Sequence, residues 1–185
     1  SLSQDPRPAQ HFLWPNYMLE PVTTRFATEQ DQAAIIELID SVYREYGDQV
    51  CLTGADQDLL DIKTAYFDQG GAFWVMEDAD RQIVGTHAAK PLTDTERKTS
   101  LGQQVCTFRR LYLSPRLRGT QRGADLMELS FAWARQNHFQ QVQFWSDSRF
   151  TRAHQFFSKL GFQQSDQIRQ MDDGLTPYQG YFFSI

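Results

Sequence analysis

The chain has 185 residues, 41 % of them hydrophobic and 14 % aromatic, which suits one domain with a substantial core. A formal charge of −5 argues against nucleic acid as the main partner, since that demands a basic face, and fits a cationic amine drawn to an acidic rim. No apolar run approaches the ~20 residues of a membrane span, no secretory leader is legible, and Cys51 and Cys106 are too few for a disulfide framework or a metal site; a reducing, cytoplasmic setting, off the membrane and without a metal, is the expectation.

Residues 1–17 carry Pro6, Pro8 and Pro15 with few periodic apolar positions, so residues 1–20 read as an extended arm and 21–185 as a single domain. Phe12, Leu13, Trp14 and Tyr17 are suited to pack on the domain or on a second subunit. Ala27 to Asp31 opens an amphipathic helix through Ile35, Leu38, Ile39, Val42 and Tyr46, with Thr28 as N-cap and Gly47 as its stop. A loop over 47–55 leads to a second helix from Asp58 to Phe67, stopped by Gly70-Gly71. Phe73–Met76 and Ile83–His87 read as strands joined by a turn at Asp78–Arg81, and the polar run 91–104 as an exposed connection to a strand from Cys106 to Leu113. That strand ends at Ser114-Pro115; a basic, glycine-containing turn follows, then a helix over about 122–136. Val142–Trp145 is the fifth strand, and Ala153 to Leu160 a helix closed by Gly161. Phe162–Met171 and Tyr178–Ile185 form a final strand pair around Asp173-Gly174.

The strand–turn–helix at 113–127 is the most informative stretch. It offers free backbone N–H groups at a helix N-terminus, where the dipole favours negative charge, and Arg116, Arg118 and Arg122 add three cations. Such a turn is a seat for a phosphorylated ligand. Neither the P-loop run Gly-x-x-x-x-Gly-Lys-Ser/Thr nor the dinucleotide fingerprint Gly-x-Gly-x-x-Gly occurs. Pro115, Arg118, Gly119, Gly123 and Leu126 instead resemble the acetyl-CoA pyrophosphate loop of the GCN5-related N-acetyltransferases, Pro-x-x-Arg-Gly-x-Gly-x-Gly/Ala-x-x-Leu, with Gln121 at its middle glycine. A side chain there fits a close phosphate approach if φ stays negative and the side chain points outward. About thirty residues on, Ala153, Phe156, Lys159, Leu160, Gly161 and Phe162 are similar to the family's second hallmark, a helix with a Tyr-x-x-Leu-Gly-Phe-like close.

The resemblance implies an α/β fold with a mixed sheet, about seven mostly antiparallel strands splayed between the fourth and fifth and flanked by about four helices. It implies transfer of an acetyl group from acetyl-CoA to a primary amine of a small molecule or protein, by direct attack on the thioester. It also implies cofactor contacts. Leu111, Tyr112 and Leu113 would meet the pantetheine arm and thioester, and Arg118, Gly119, Thr120, Gln121, Arg122, Gly123 and Ala124 the phosphates. His154 and Phe157 lie on the last helix, where His154 either touches the cofactor or faces solvent. Two departures matter: Thr107 stands where many members carry a glutamate base, and Phe157 where many carry a tyrosine acid.

Substitutes for those groups are read from the residues themselves. Asp147 is a base or amine anchor, or else an Asx-turn residue ahead of the next helix. His87 has an imidazole suited to general base work, or is a hydrogen-bonded structural residue. Tyr112, Tyr178 and Tyr181 are proton donors or strand packing. The same departures favour a second reading, an acyl-CoA-binding module with weak or lost catalysis. The arm and the C-terminal strands are natural surfaces for a homodimer.

Overall fold

The computed structural model describes residues 20–93, 104–172 and 177–185. The expected arm, most of the 91–104 connection and the Asp173-Gly174 turn lie outside these residues. The strands are β1 (Val22–Phe26), β2 (Ala72–Asp78), β3 (Ile83–Pro91), β4 (Val105–Leu113), β5 (Gln141–Asp147), β6 (Gln163–Asp172) and β7 (Pro177–Ser184). The helices are α1 (Gln32–Arg44), α2 (Ile62–Ala65), α3 (Arg122–Gln136) and α4 (Thr151–Lys159). One seven-stranded sheet runs β1-β2-β3-β4-β5-β7-β6. Every neighbouring pair is antiparallel except β4–β5, which is parallel.

Helices cover both faces, so β2 sends apolar side chains to each. In β2 the residues Ala72 to Glu77 are all buried. Phe73 and Val75 point to the cluster built by α1 and α2, and Ala72 and Trp74 to the one built by α3 and α4. The helical spacing of Ile35, Leu38, Ile39 and Val42 buries one stripe of α1. Asp31 fixes the start of that segment by accepting the Thr28 N–H at 2.7 Å. Gly47, at φ 73°, closes it in the left-handed region that side chains avoid.

Two expectations need correction here. Tyr46 lies past the end of α1, in the closing turn, and is 37 % exposed. The segment from Asp58 to Phe67 is not one helix but a 3-10 turn (Gln57–Leu60), the single turn of α2, and a second 3-10 turn (Phe67–Gln69). The break falls at Asp61, whose backbone leaves the helical region while its carboxylate takes the Thr64 N–H (3.0 Å) and hydroxyl (2.7 Å). A short acidic side chain that bonds its own backbone competes with helix continuation. The apolar spacing survives the break, because Leu59, Ile62 and Tyr66 all remain buried.

The β5–β7–β6 half is held by rings. Phe183 is fully buried, 5.5 Å from the Phe144 ring and 5.4 Å from that of Phe157. Phe183→Ala should lower unfolding stability by about 3–5 kcal/mol in urea titration, the usual cost of emptying a ring-sized site; a loss below about 1 kcal/mol would show that this half packs loosely.

Candidate active site

β4 and β5 pair at only two positions, Val105↔Gln141 and Cys106↔Val142. Beyond them β5 takes β7 as its partner and β4 stays with β3, so the two strands part. A cavity of about 450 Å³ fills the fork. Phe108 to Tyr112 line it from β4, Phe144 to Asp147 from β5, and Met127 and Phe157 from α3 and α4.

A β-bulge shapes the β4 wall. Thr86 pairs with Tyr112 and Ala88 with Arg109, so His87 alone opposes both Arg110 and Leu111. Arg110 adopts φ 59°, sparsely populated for a residue with a side chain. Two β3 side chains hold the distortion: the Thr86 hydroxyl donates to the Arg110 carbonyl (2.8 Å), and His87 Nδ1–H donates to the Arg109 carbonyl (3.1 Å).

The bulge turns Arg110 into a buried cluster. Its guanidinium donates to Asp56 Oδ1 (2.8 Å), to the Tyr43 hydroxyl (3.0 Å) and to both oxygens of Asp58. The Arg110 and Asp56 side chains are 5 % and 2 % exposed, so each charge depends on the other. A carboxylate only accepts, so Tyr43 donates to Asp56 (3.1 Å) and Tyr112 in turn donates to Tyr43 (3.1 Å). Burial raises the pKa of both phenols, and Tyr43 and Tyr112 line the cavity.

The basic turn lies outside that lining, at the open end of β4. After the 3-10 turn Pro115–Leu117, Gly119 takes φ 72°, and Gln121 takes φ −68° with an exposed side chain. The condition set for Gln121 is therefore met. Among the described residues no acceptor takes the N–H of Gly119, Gln121, Gly123 or Ala124. The three arginines, however, are engaged. Arg116 holds Glu20 (2.8 Å) and Asp78 (2.6 Å); Arg118 holds both oxygens of Glu45 (2.6 and 2.9 Å); Arg122 holds Asp125 (3.1 Å) and the Glu20 carbonyl (2.6 Å). Arg118 draws the Glu45 carboxyl below its ordinary pKa. Beside it the Tyr46 ring meets that of Phe150 at 4.8 Å, so the end of α1 joins the turns that follow β4 and β5.

Of the expected catalytic side chains, two are committed elsewhere. His87 is 1 % exposed, bonds Ser130 Oγ through Nε2 (2.8 Å), and is pushed down to about 3 by burial. It touches the cavity but braces the bulge, the hydrogen-bonded structural role that is one of its two expected readings. Asp147 forms the expected Asx turn with the Arg149 N–H (2.8 Å), and its oxygens also hold the Arg149 guanidinium (2.6 Å), which reaches on to Asp48 (3.0 Å). It lines the cavity, but as half of an ion pair. His154 does not line the cavity; half-buried, it bonds Ser146 Oγ (3.1 Å) with its ring against Phe183. Tyr178 joins Tyr112 in the lining, whereas Tyr181 lies outside it. Cys106 is core, its thiol pushed up to about 12 by burial.

Residues 69–164, more than half of the chain, match the acetyltransferase (GNAT) domain family. The chain belongs to the GCN5-related N-acetyltransferase family. It is 29 % identical over 148 residues to YjgM, an uncharacterized N-acetyltransferase of Escherichia coli (strain K12), covering 79 % of this chain and 84 % of that protein. A GNAT acetyltransferase structure from Staphylococcus aureus Mu50 superimposes with TM-score 0.74 at 17 % identity, covering 89 % of this chain and 98 % of that one. The structure of yncA from Salmonella typhimurium with its cofactor acetyl-CoA gives TM-score 0.66 at 19 % identity, covering 89 % and 92 %. The mixed sheet parted between its fourth and fifth strands is thus the GNAT fold. Among the described residues no helix is long and apolar enough to cross a membrane.

In this GNAT chain Thr107 is buried opposite Lys90, and Phe157 packs on Phe144 at 4.8 Å while touching the cavity. The Arg110–Asp56–Tyr43 cluster was missed by sequence reasoning. Its one legible signal was Arg109-Arg110 inside an apolar strand, a pair that breaks strict alternation.

Two outcomes test this description. Arg110→Met leaves Asp56 buried and unpaired, and should cost about 3–5 kcal/mol in chemical denaturation. His87 stays neutral in the folded state while the unfolded chain binds its proton below about pH 6.5, so its contribution is present above that pH and is lost as pH falls toward 3. The stability gap between wild type and His87→Asn should therefore narrow by about 2 kcal/mol between pH 7 and 5. A constant gap would mean that His87 already titrates freely.

Proposed function

We propose that this chain is an acetyl-CoA-dependent N-acetyltransferase acting on a primary amine. One observation carries the reading: four unsatisfied amides at the start of α3, Gly119, Gln121, Gly123 and Ala124, stand at the open end of the β4–β5 fork. Aligned N–H groups on a helix dipole suit a pyrophosphate. From there the pantetheine arm runs beside Leu111, Tyr112 and Leu113, and the thioester enters the cavity. Thr120 and Arg122 flank the phosphates, and Arg118 exchanges Glu45 for one of them. The acetyl-CoA in yncA supports this choice of cofactor.

The amine nitrogen attacks the thioester carbon, the C–S bond breaks, the thiolate takes up a proton and the amide nitrogen loses one. Alignment of the two partners supplies most of the rate, since effective molarities reach ~10⁵–10⁸ M. Tyr112 is the hydroxyl on the β4 wall that protonates the leaving sulfur, its O–H turning from Tyr43 to the thiolate.

A second reading, a binding module without turnover, is favoured by Thr107, Phe157 and the commitments of His87 and Asp147. Free thiol followed in mixtures of protein, acetyl-CoA and an amine panel separates the two. Release above background with any amine supports transfer; tight coenzyme A binding without release supports the module. Within the first reading, Tyr112→Phe should lower kcat about 10²-fold or more with coenzyme A affinity kept within about twofold. Arg118→Ala should weaken coenzyme A more than pantetheine, because a charge-assisted contact is lost. Glu45→Gln frees the same guanidinium and should tighten coenzyme A by up to about fivefold, the scale of a surface ion pair; calorimetry that finds Arg118→Ala equally harmful to both ligands would remove Arg118 from the phosphate site.

A further inference from the structure

The fork cavity belongs to a chain of formal charge −5, yet its lining holds four arginines and three aspartates. All three aspartates are taken. Arg110 holds Asp56 at 2.8 Å, and Arg149 holds Asp48 and Asp147 at 3.0 and 2.6 Å. Each lining carboxylate is thus already paired with a guanidinium.

Two guanidinium groups remain. Arg109 and Arg169 border the cavity as exposed residues, and neither forms an ion pair among the described residues. Arg109 precedes the bulge and acts on Asp58 only through its field, since Arg110 already occupies both Asp58 oxygens. Arg169 lies over the Trp145 ring at 5.6 Å. A guanidinium at that distance feels the ring's negative face and keeps N–H groups available for a carboxylate. Elsewhere the cavity lining is rich in aromatic rings, with Phe108, Phe144, Trp145, Phe150 and Tyr178.

On the basis of the acetyl transfer described above, we propose that the acceptor is a primary amine that also carries a carboxylate, an amino acid with an apolar side chain, whose carboxylate is held by Arg109 and Arg169. Its uncharged nitrogen attacks the thioester carbon, and the products are the N-acetylamino acid and the free thiol. The proton lost by nitrogen balances the one gained by sulfur.

Matched pairs test the idea: phenylalanine with phenethylamine, tryptophan with tryptamine, and leucine with isoamylamine, each followed by thiol release. The acid of at least one pair should be used about tenfold better in kcat/KM, the scale of a charged contact. That advantage should collapse in Arg109→Gln and Arg169→Gln, with unchanged melting temperatures excluding misfolding. Equal or better use of the decarboxylated amines, or an advantage that survives both substitutions, overturns the proposal. Calorimetric titration of the three amino acids into the protein–coenzyme A complex reads the site without turnover. Binding lost on substitution supports it, and no binding to the wild type at millimolar concentration overturns it. Binding of amino acids with no thiol released from any amine would instead sink acetyl transfer and leave the carboxylate site standing.

Discussion

A parallel strand pair normally runs its length in evenly spaced, slanted hydrogen bonds; β4 and β5 share two residue pairs and then separate. Each strand has a reason to leave. β5 gains a full antiparallel partner in β7, sealed by the Phe144, Phe157 and Phe183 rings. β4 stays with β3 and carries the bulge. The opening is therefore walled by β4 and β5, with the loops around Asp56 and Arg149 completing the lining. Each of these two strands is hydrogen-bonded on its far side, β4 to β3 and β5 to β7.

The bulge gives the fork its chemistry at a cost the surroundings absorb. A left-handed backbone at Arg110 and a buried guanidinium are each unfavourable alone. Here Thr86 and His87 brace the backbone, and Asp56, Asp58 and Tyr43 surround the charge with acceptors. Both β3 residues are among the most buried in the chain. The polar atoms lie deep because the bulge needs them, and the cavity wall inherits their order through Tyr43 and Tyr112.

The sequence disclosed those features that are local. The stripe Ile35–Val42, the turn at Asp78–Arg81 and the strand–turn–helix at 113–127 are fixed by neighbours a few residues away, and they stand where the spacing puts them. The break at Asp61 escaped because a capping bond to Thr64 competed with propensity and won. The Arg110 cluster escaped for a different reason: its partners lie more than fifty residues distant, and pairing across that separation leaves no periodic trace. The same holds for the arginines of the turn. Their positions were readable, while their partners Glu20, Glu45 and Asp78 were set by the fold.

The carboxylate already seated on Arg118 has a thermodynamic consequence. An anion arriving there trades places with Glu45 instead of dispersing a cloud of mobile counterions around a bare cation. The number of small ions set free on association is then lower than a count of basic side chains suggests, and raising the ionic strength should loosen the complex only gently. If an anion does take that guanidinium, what Glu45 surrenders would be regained in hydration, and the resting pair would have served to keep Arg118 oriented.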